Sequence, residues 1–123
     1  MAKSKARLLA DIQKEFYDKD DVSTFTRSTF RTNSTNEQVI LSINIDKIDA
    51  FVFHIKCSAG TDRQMSSINT ILEGTTVYMT EYGEIRTGDL LSTYDVDISG
   101  SILRLKATPT NATTNFTIVR INL

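Results

Sequence analysis

The sequence holds one cysteine, one histidine, one proline and no tryptophan, and each scarcity removes a class of protein. With Cys57 alone, no internal disulfide can form and no cysteine-based zinc site can be assembled. With His54 alone, no second imidazole is available for a metal site or a separate relay. No run of about 20 apolar residues occurs, so no membrane span is expected. The five glycines, at 60, 74, 83, 88 and 100, stand singly, which excludes a phosphate-cradling glycine loop. Charge of one sign is also lacking: 14 basic against 15 acidic residues leave no field to draw in nucleic acid or an anionic membrane. The opening MAKSKARLLADIQKEF turns charged before an apolar signal core could form, so synthesis in the cytoplasm without an ordinary export signal is expected.

What the chain has instead is β-branched residues. Its 17 Thr, 13 Ile and 6 Val exceed a quarter of the 123 positions, which favours pleated, half-buried surfaces over helices. The length suits one compact domain.

The N-terminus departs from this pattern. Ser4 can cap a run in which Leu8, Leu9, Ile12 and Phe16 recur at helical spacing on one face, with Lys5, Arg7, Gln13 and Lys14 opposite. The spacing predicts a helix over Lys5 to Tyr17. A helix of about 13 residues is marginal alone in water, so its stripe must lie against a neighbouring subunit or cover an open side of its own domain. The first is the expectation, with Leu8, Leu9, Ile12 and Phe16 at an oligomer or anchor interface. Asp18 to Asp21 then reads as a solvated linker. This divides the chain into an arm over 1–21 and a β domain over 22–123.

From Val22 the apolar period becomes two. Val39, Leu41, Ile43 and Ile45 alternate with polar residues, and Phe51, Phe53, Ile55 and Cys57 repeat the arrangement with His54 and Lys56 on the reverse. The short connection over 46–49 suggests that the two runs form an antiparallel hairpin. Further strands are expected at Phe25 to Arg31, Gln64 to Leu72, Thr75 to Arg86, Ser92 to Ile98, Ser101 to Ala107 and Asn115 to Leu123, separated by Gly-, Pro- or Asn-bearing breaks. About eight short strands argue for an all-β fold: an antiparallel, jelly-roll-like β-sandwich with an N-terminal α-helix.

Reactive side chains do not converge in this pattern. His54 and Cys57, three apart on one strand, project to opposite faces and cannot form a thiolate pair. Glu81 and Glu84 have odd spacing and would meet only through a bulge at Gly83. Asp95, Asp97, Ser99 and Gly100 imitate the opening of a calcium loop, but its twelfth position is Lys106, where a bidentate acid is required. No catalytic residue, metal site or cofactor is therefore expected, and the chain reads as no enzyme. Tyr78, Tyr82 and Tyr94 are the candidates for stacking against a sugar.

Several motifs follow one another in fixed order toward the C-terminus: Tyr78-Met-Thr-Glu-Tyr-Gly83, then Asp95-Val-Asp-Ile-Ser-Gly100, Arg104-Leu105, Thr108-Pro109 and Arg120. Together with the opening Ser4 to Asp11 they resemble a module of tailed-phage virion proteins, structural and tail-fibre-like, of marine and cyanobacterial phages. That resemblance implies a virion component synthesised in the host cytoplasm: a tail-fibre, neck, baseplate or capsid-decoration subunit. Its implied partners are other phage structural proteins and further copies of itself, a trimer by preference. The alternative is a β-sandwich module that binds host-surface glycan. The resemblance lends no catalytic residue.

Overall fold

The computed structural model describes residues 25–45 and 48–123. Eight strands follow one another: β1 (Phe25–Arg31), β2 (Gln38–Asn44), β3 (Ala50–Ala59), β4 (Asp62–Glu73), β5 (Thr76–Arg86), β6 (Ser92–Ser99), β7 (Ile102–Pro109) and β8 (Asn115–Asn122). All eight match their expected spans to within two residues at either end, because alternation and turn residues coincide there. The described residues contain no helix, and the predicted helix over Lys5 to Tyr17 lies outside them.

All pairing is antiparallel and builds two sheets, β1-β8-β3-β4-β5 and β2-β7-β6. One expectation fails here. β2 and β3 do not form a hairpin: β2 pairs with β7, while β3 lies between β4 and β8. Both runs carry one apolar face, and alternation says which face is buried without saying which strand lies alongside. The chain therefore changes sheets between Asn44 and Ala50, where the short spacing suggested a turn.

Three hairpins close on two-residue loops of one chemistry, Gly60-Thr61, Gly74-Thr75 and Gly100-Ser101. In the last, Gly100 has φ +63 whereas Ser101 does not enter positive φ, the pattern of a type II′ turn, in which glycine takes the first central position. β5 carries a bulge as well. Its register with β4 shifts between Met65 and Ser67, opposite Gly83, whose φ is +68. A second shift lies between Val39 and Leu41 and turns Ile40 into the interior.

Buried residues from both sheets form a single cluster. The larger sheet contributes Phe51, Phe53, Ile55, Cys57, Ile68, Phe116 and Ile118, the smaller one Ile43, Val96, Leu103, Leu105 and Ala107. Each large apolar side chain removed from water in this way contributes roughly 1.5–3 kcal/mol. Phe51 and Phe53 stack at 6.0 Å between ring centroids, and Tyr94 meets Phe116 edge-on at 6.2 Å.

Polar groups inside this cluster are held by specific bonds. Gln64 is 1% exposed; its Nε2 donates to the Ser92 carbonyl at 2.9 Å and its Oε1 accepts from the Leu91 amide at 2.7 Å. This one side chain ties β4 of the larger sheet to the entry of β6 in the smaller. Thr32, just after β1, plays a similar part at the opposite end of the chain. Its hydroxyl donates to the Ala112 carbonyl at 3.0 Å and accepts from the Thr114 amide at 3.1 Å, pinning the loop before β8.

Candidate functional site

Residues paired across antiparallel strands share a face, so the registers sort every side chain of the larger sheet. The inward face carries the core just described. The outward face carries Phe25 on β1, Met65 and Ile71 on β4, Tyr78, Tyr82 and Ile85 on β5, and Leu123 beside Ala50. Those seven are the large apolar residues standing in water among the described residues, each between 47% and 72% exposed. Val52, Val119 and Ile121 lie between them on the same face, partly covered. Scattered surface hydrophobics are ordinary in a soluble protein, but their concentration on one sheet face marks a surface that is covered in its working state.

One end of this face is concave. Ala50, Val52, Asn69, Ile71, Tyr78 and Leu123 are among the residues lining an open groove of about 610 Å³. Basic residues share this face: Arg27 and Arg31 on β1, Lys56 on β3 and Arg63 on β4 all follow the outward register.

The sequence candidates separate when placed on this frame. Tyr78 and Tyr82 stand on the outward face. Tyr94 does not join them: it points into the interior, where its hydroxyl meets Cys57 Sγ at 3.6 Å and its ring packs on Phe116. Burial drives the Tyr94 phenol far above its ordinary range, and burial likewise raises the Cys57 thiol. Cys57 and His54 do face opposite ways, as their spacing predicts. Leu8, Leu9, Ile12 and Phe16 lie outside the described residues.

The acidic candidates each have a partner of their own. Glu81 accepts from the Ser66 hydroxyl at 2.6 Å, and Glu84 meets Arg86 Nε at 3.2 Å. Asp97 receives Arg104 Nε at 2.7 Å and Nη2 at 2.6 Å, with Lys106 Nζ at 2.9 Å. Hydrogen bonding from Arg104 holds the Asp97 carboxyl down at about 2. Lys106 also reaches Glu37 at 3.3 Å and Asp95 at 3.8 Å. A network already neutralised by an arginine and a lysine is a poor cation cradle, and no metal-binding cluster of acidic, His or Cys residues occurs among the described residues.

One contact escaped the sequence reading. His54 Nδ1 and Ser67 Oγ lie 2.7 Å apart across β3 and β4 on the outward face. A serine beside an imidazole is half of a nucleophilic arrangement. Here the two are paired within the unbroken β3-β4 ladder, whose amides serve the sheet and are not aimed at a developing oxyanion. The pairing could not be read from sequence because His54 and Ser67 belong to separate strands and meet only through register.

The likenesses found bear on the fold. No protein-family model matches the chain, and no curated protein sequence does. Among solved structures, the tailspike protein of Acinetobacter phage vB_ApiP_P1 superposes with a TM-score of 0.54 at 13% identity, over 81% of this chain and 22% of that one. In fold, the chain resembles solved phage tailspikes. Tailspike protein gp49 of Acinetobacter baumannii bacteriophage Fri1, a capsular polysaccharide depolymerase, matches with a TM-score of 0.50 at 17% identity, over 80% of this chain and 17% of that one. The chain thus spans about a fifth of the length of the tailspikes it matches. These are phages of Acinetobacter, not the marine and cyanobacterial type expected from the C-terminal motifs. The expectation that the chain is no enzyme is corrected by the Fri1 protein. A fold of this kind occurs inside a depolymerase, so a lack of converging side chains in this part does not make a protein non-enzymatic. No helix among the described residues is long and apolar enough to cross a membrane.

Proposed function

We propose that this chain is a β-sandwich module of a phage tail protein, built into the virion by contacts with other phage structural proteins and with further copies of itself. The observation that supports this reading is the superposition on the vB_ApiP_P1 tailspike over 81% of the chain, with only 22% of that protein used. The match has the proportions of one module within a long tail component. Among tail-fibre, neck, baseplate and capsid positions, a fibre or spike is favoured by the likeness, with the trimer as the preferred oligomer.

The test is the protein content of purified particles. Peptides of this chain should appear in stoichiometric amounts with the tail proteins, and particles free of them would refute the assignment.

A second reading, contact with host-surface polysaccharide, rests on Tyr78, which lines the groove, and on Tyr82 two residues along the same face. A flat tyrosine ring beside a concave strip suits a sugar. Binding to capsular polysaccharide that disappears on Tyr78→Ala supports this reading, and binding that survives the change refutes it.

A further inference from the structure

The outward face of the larger sheet has a candidate occupant within the same chain. Phe25 is itself on this face, at the start of edge strand β1. Before it come 24 residues, among them the apolar stripe Leu8, Leu9, Ile12 and Phe16. We propose that this stripe seats on the outward face of its own chain, across Phe25, Ile71, Tyr78 and Tyr82. The inference does not depend on the tail assignment.

Three features of the molecule support an occupant from the same chain. The first is size. A helix over residues 5–17 would be about 20 Å long, and the five strands span about 19 Å from β1 to β5, so the stripe matches the width of the face. The second is reach. Residues 18–24 can extend about 23–25 Å, which brings the stripe anywhere on the face without strain. Tethered this closely, the stripe is present at an effective concentration on the order of millimolar, so a stripe from another copy competes poorly at ordinary protein concentrations. The third is charge. The linker acids Asp18, Asp20 and Asp21 precede edge strand β1, which carries Arg27 and Arg31 on this face. The polar side of the stripe, with Lys5, Arg7 and Lys14, then faces solvent, away from these arginines.

Carbene footprinting of the full chain tests the proposal, comparing wild type with the variant Leu8→Ser, Leu9→Ser, Ile12→Ser, Phe16→Ser. Labelling of Phe25, Ile71 and Tyr78 should rise at least about threefold in the variant, while Phe53 in the core stays unlabelled in both and reports that the fold is intact. In wild type the protection should persist through about a hundredfold dilution. The reciprocal full-chain variant, Ile71→Lys with Ile85→Lys, should speed tryptic cleavage at Arg7 and Lys14 by about tenfold. Equal labelling of the face in wild type and variant would overturn the proposal. So would protection lost on dilution, which assigns the face to a second copy, and protection that appears only when polysaccharide is added, which assigns it to saccharide.

Discussion

Replacing Gln64 by leucine removes the polar tie between the two sheets while keeping the side chain's bulk. The Leu91 amide and the Ser92 carbonyl would lose their partners at 2.7 and 2.9 Å in a place where Leu91 is 2% and Ser92 1% exposed. An orphaned buried polar group costs roughly 1–3 kcal/mol, and two of them about 2–6 kcal/mol. Burying a leucine in place of an amide returns about 1–2 kcal/mol, leaving at the middle of those ranges a net loss of about 2–3 kcal/mol. For a domain of this length that is a fall in melting temperature of roughly 8–15 °C, readily measured by calorimetry. Gln64→Glu separates the two bonds. It keeps an acceptor for Leu91 but sets a carboxylate against the Ser92 carbonyl, so it should be destabilising as well. A Gln64→Leu protein within about 0.5 kcal/mol of wild type would refute the view that this side chain holds the sheets in register.

Asp97→Asn should cost about 0.5–1.5 kcal/mol, a figure kept small by the partial exposure of its partners. Because the folded Asp97 carboxyl sits at about 2, below its ordinary 3.8, its contribution is complete above about pH 4 and disappears as pH falls toward 2. The Asn variant should lack that part of the acid slope, and two superimposable pH–stability curves would show the network to be idle. Gly100→Val forces a branched side chain into a conformation near φ +63 and should lose about 1–3 kcal/mol in urea titration; an unchanged midpoint would mean that the turn is not of type II′. Cys57, fully buried with its thiol raised by desolvation, should resist a thiol reagent in the native protein and react only at the rate of unfolding. Fast native labelling would place it at a surface.

Strand positions were legible in the sequence because alternation and Gly-bearing breaks are local signals, and Phe25–Arg31 shows it with both ends where expected. Strand order was not legible. Val39 to Ile45 and Phe51 to Cys57 have similar patterns, and only partners distant in sequence, β7 and β8, distinguish their sheets. The same gap concealed the outward face. In Gln-Met-Ser-Ser-Ile-Asn-Thr-Ile, from Gln64 to Ile71, a buried glutamine and exposed Met65 and Ile71 reverse the usual rule that apolar residues point inward. Phe25 and Ile85 lie on different strands, and their membership of one surface follows from register alone. The catalytic candidates fared differently. The opposition of His54 and Cys57 follows from period two and was readable, whereas the meeting of His54 with Ser67 needed the β3-β4 pairing.

The measurement that bears most directly on the tail assignment and on the covered face is a cryo-electron microscopy map of the particle at side-chain resolution. The eight strands should fit density in a tail component, with further protein density lying over Ile71, Tyr78 and Ile85. A complete tail map in which no component accommodates the two sheets, or in which they fit with that face bare to solvent, would contradict it.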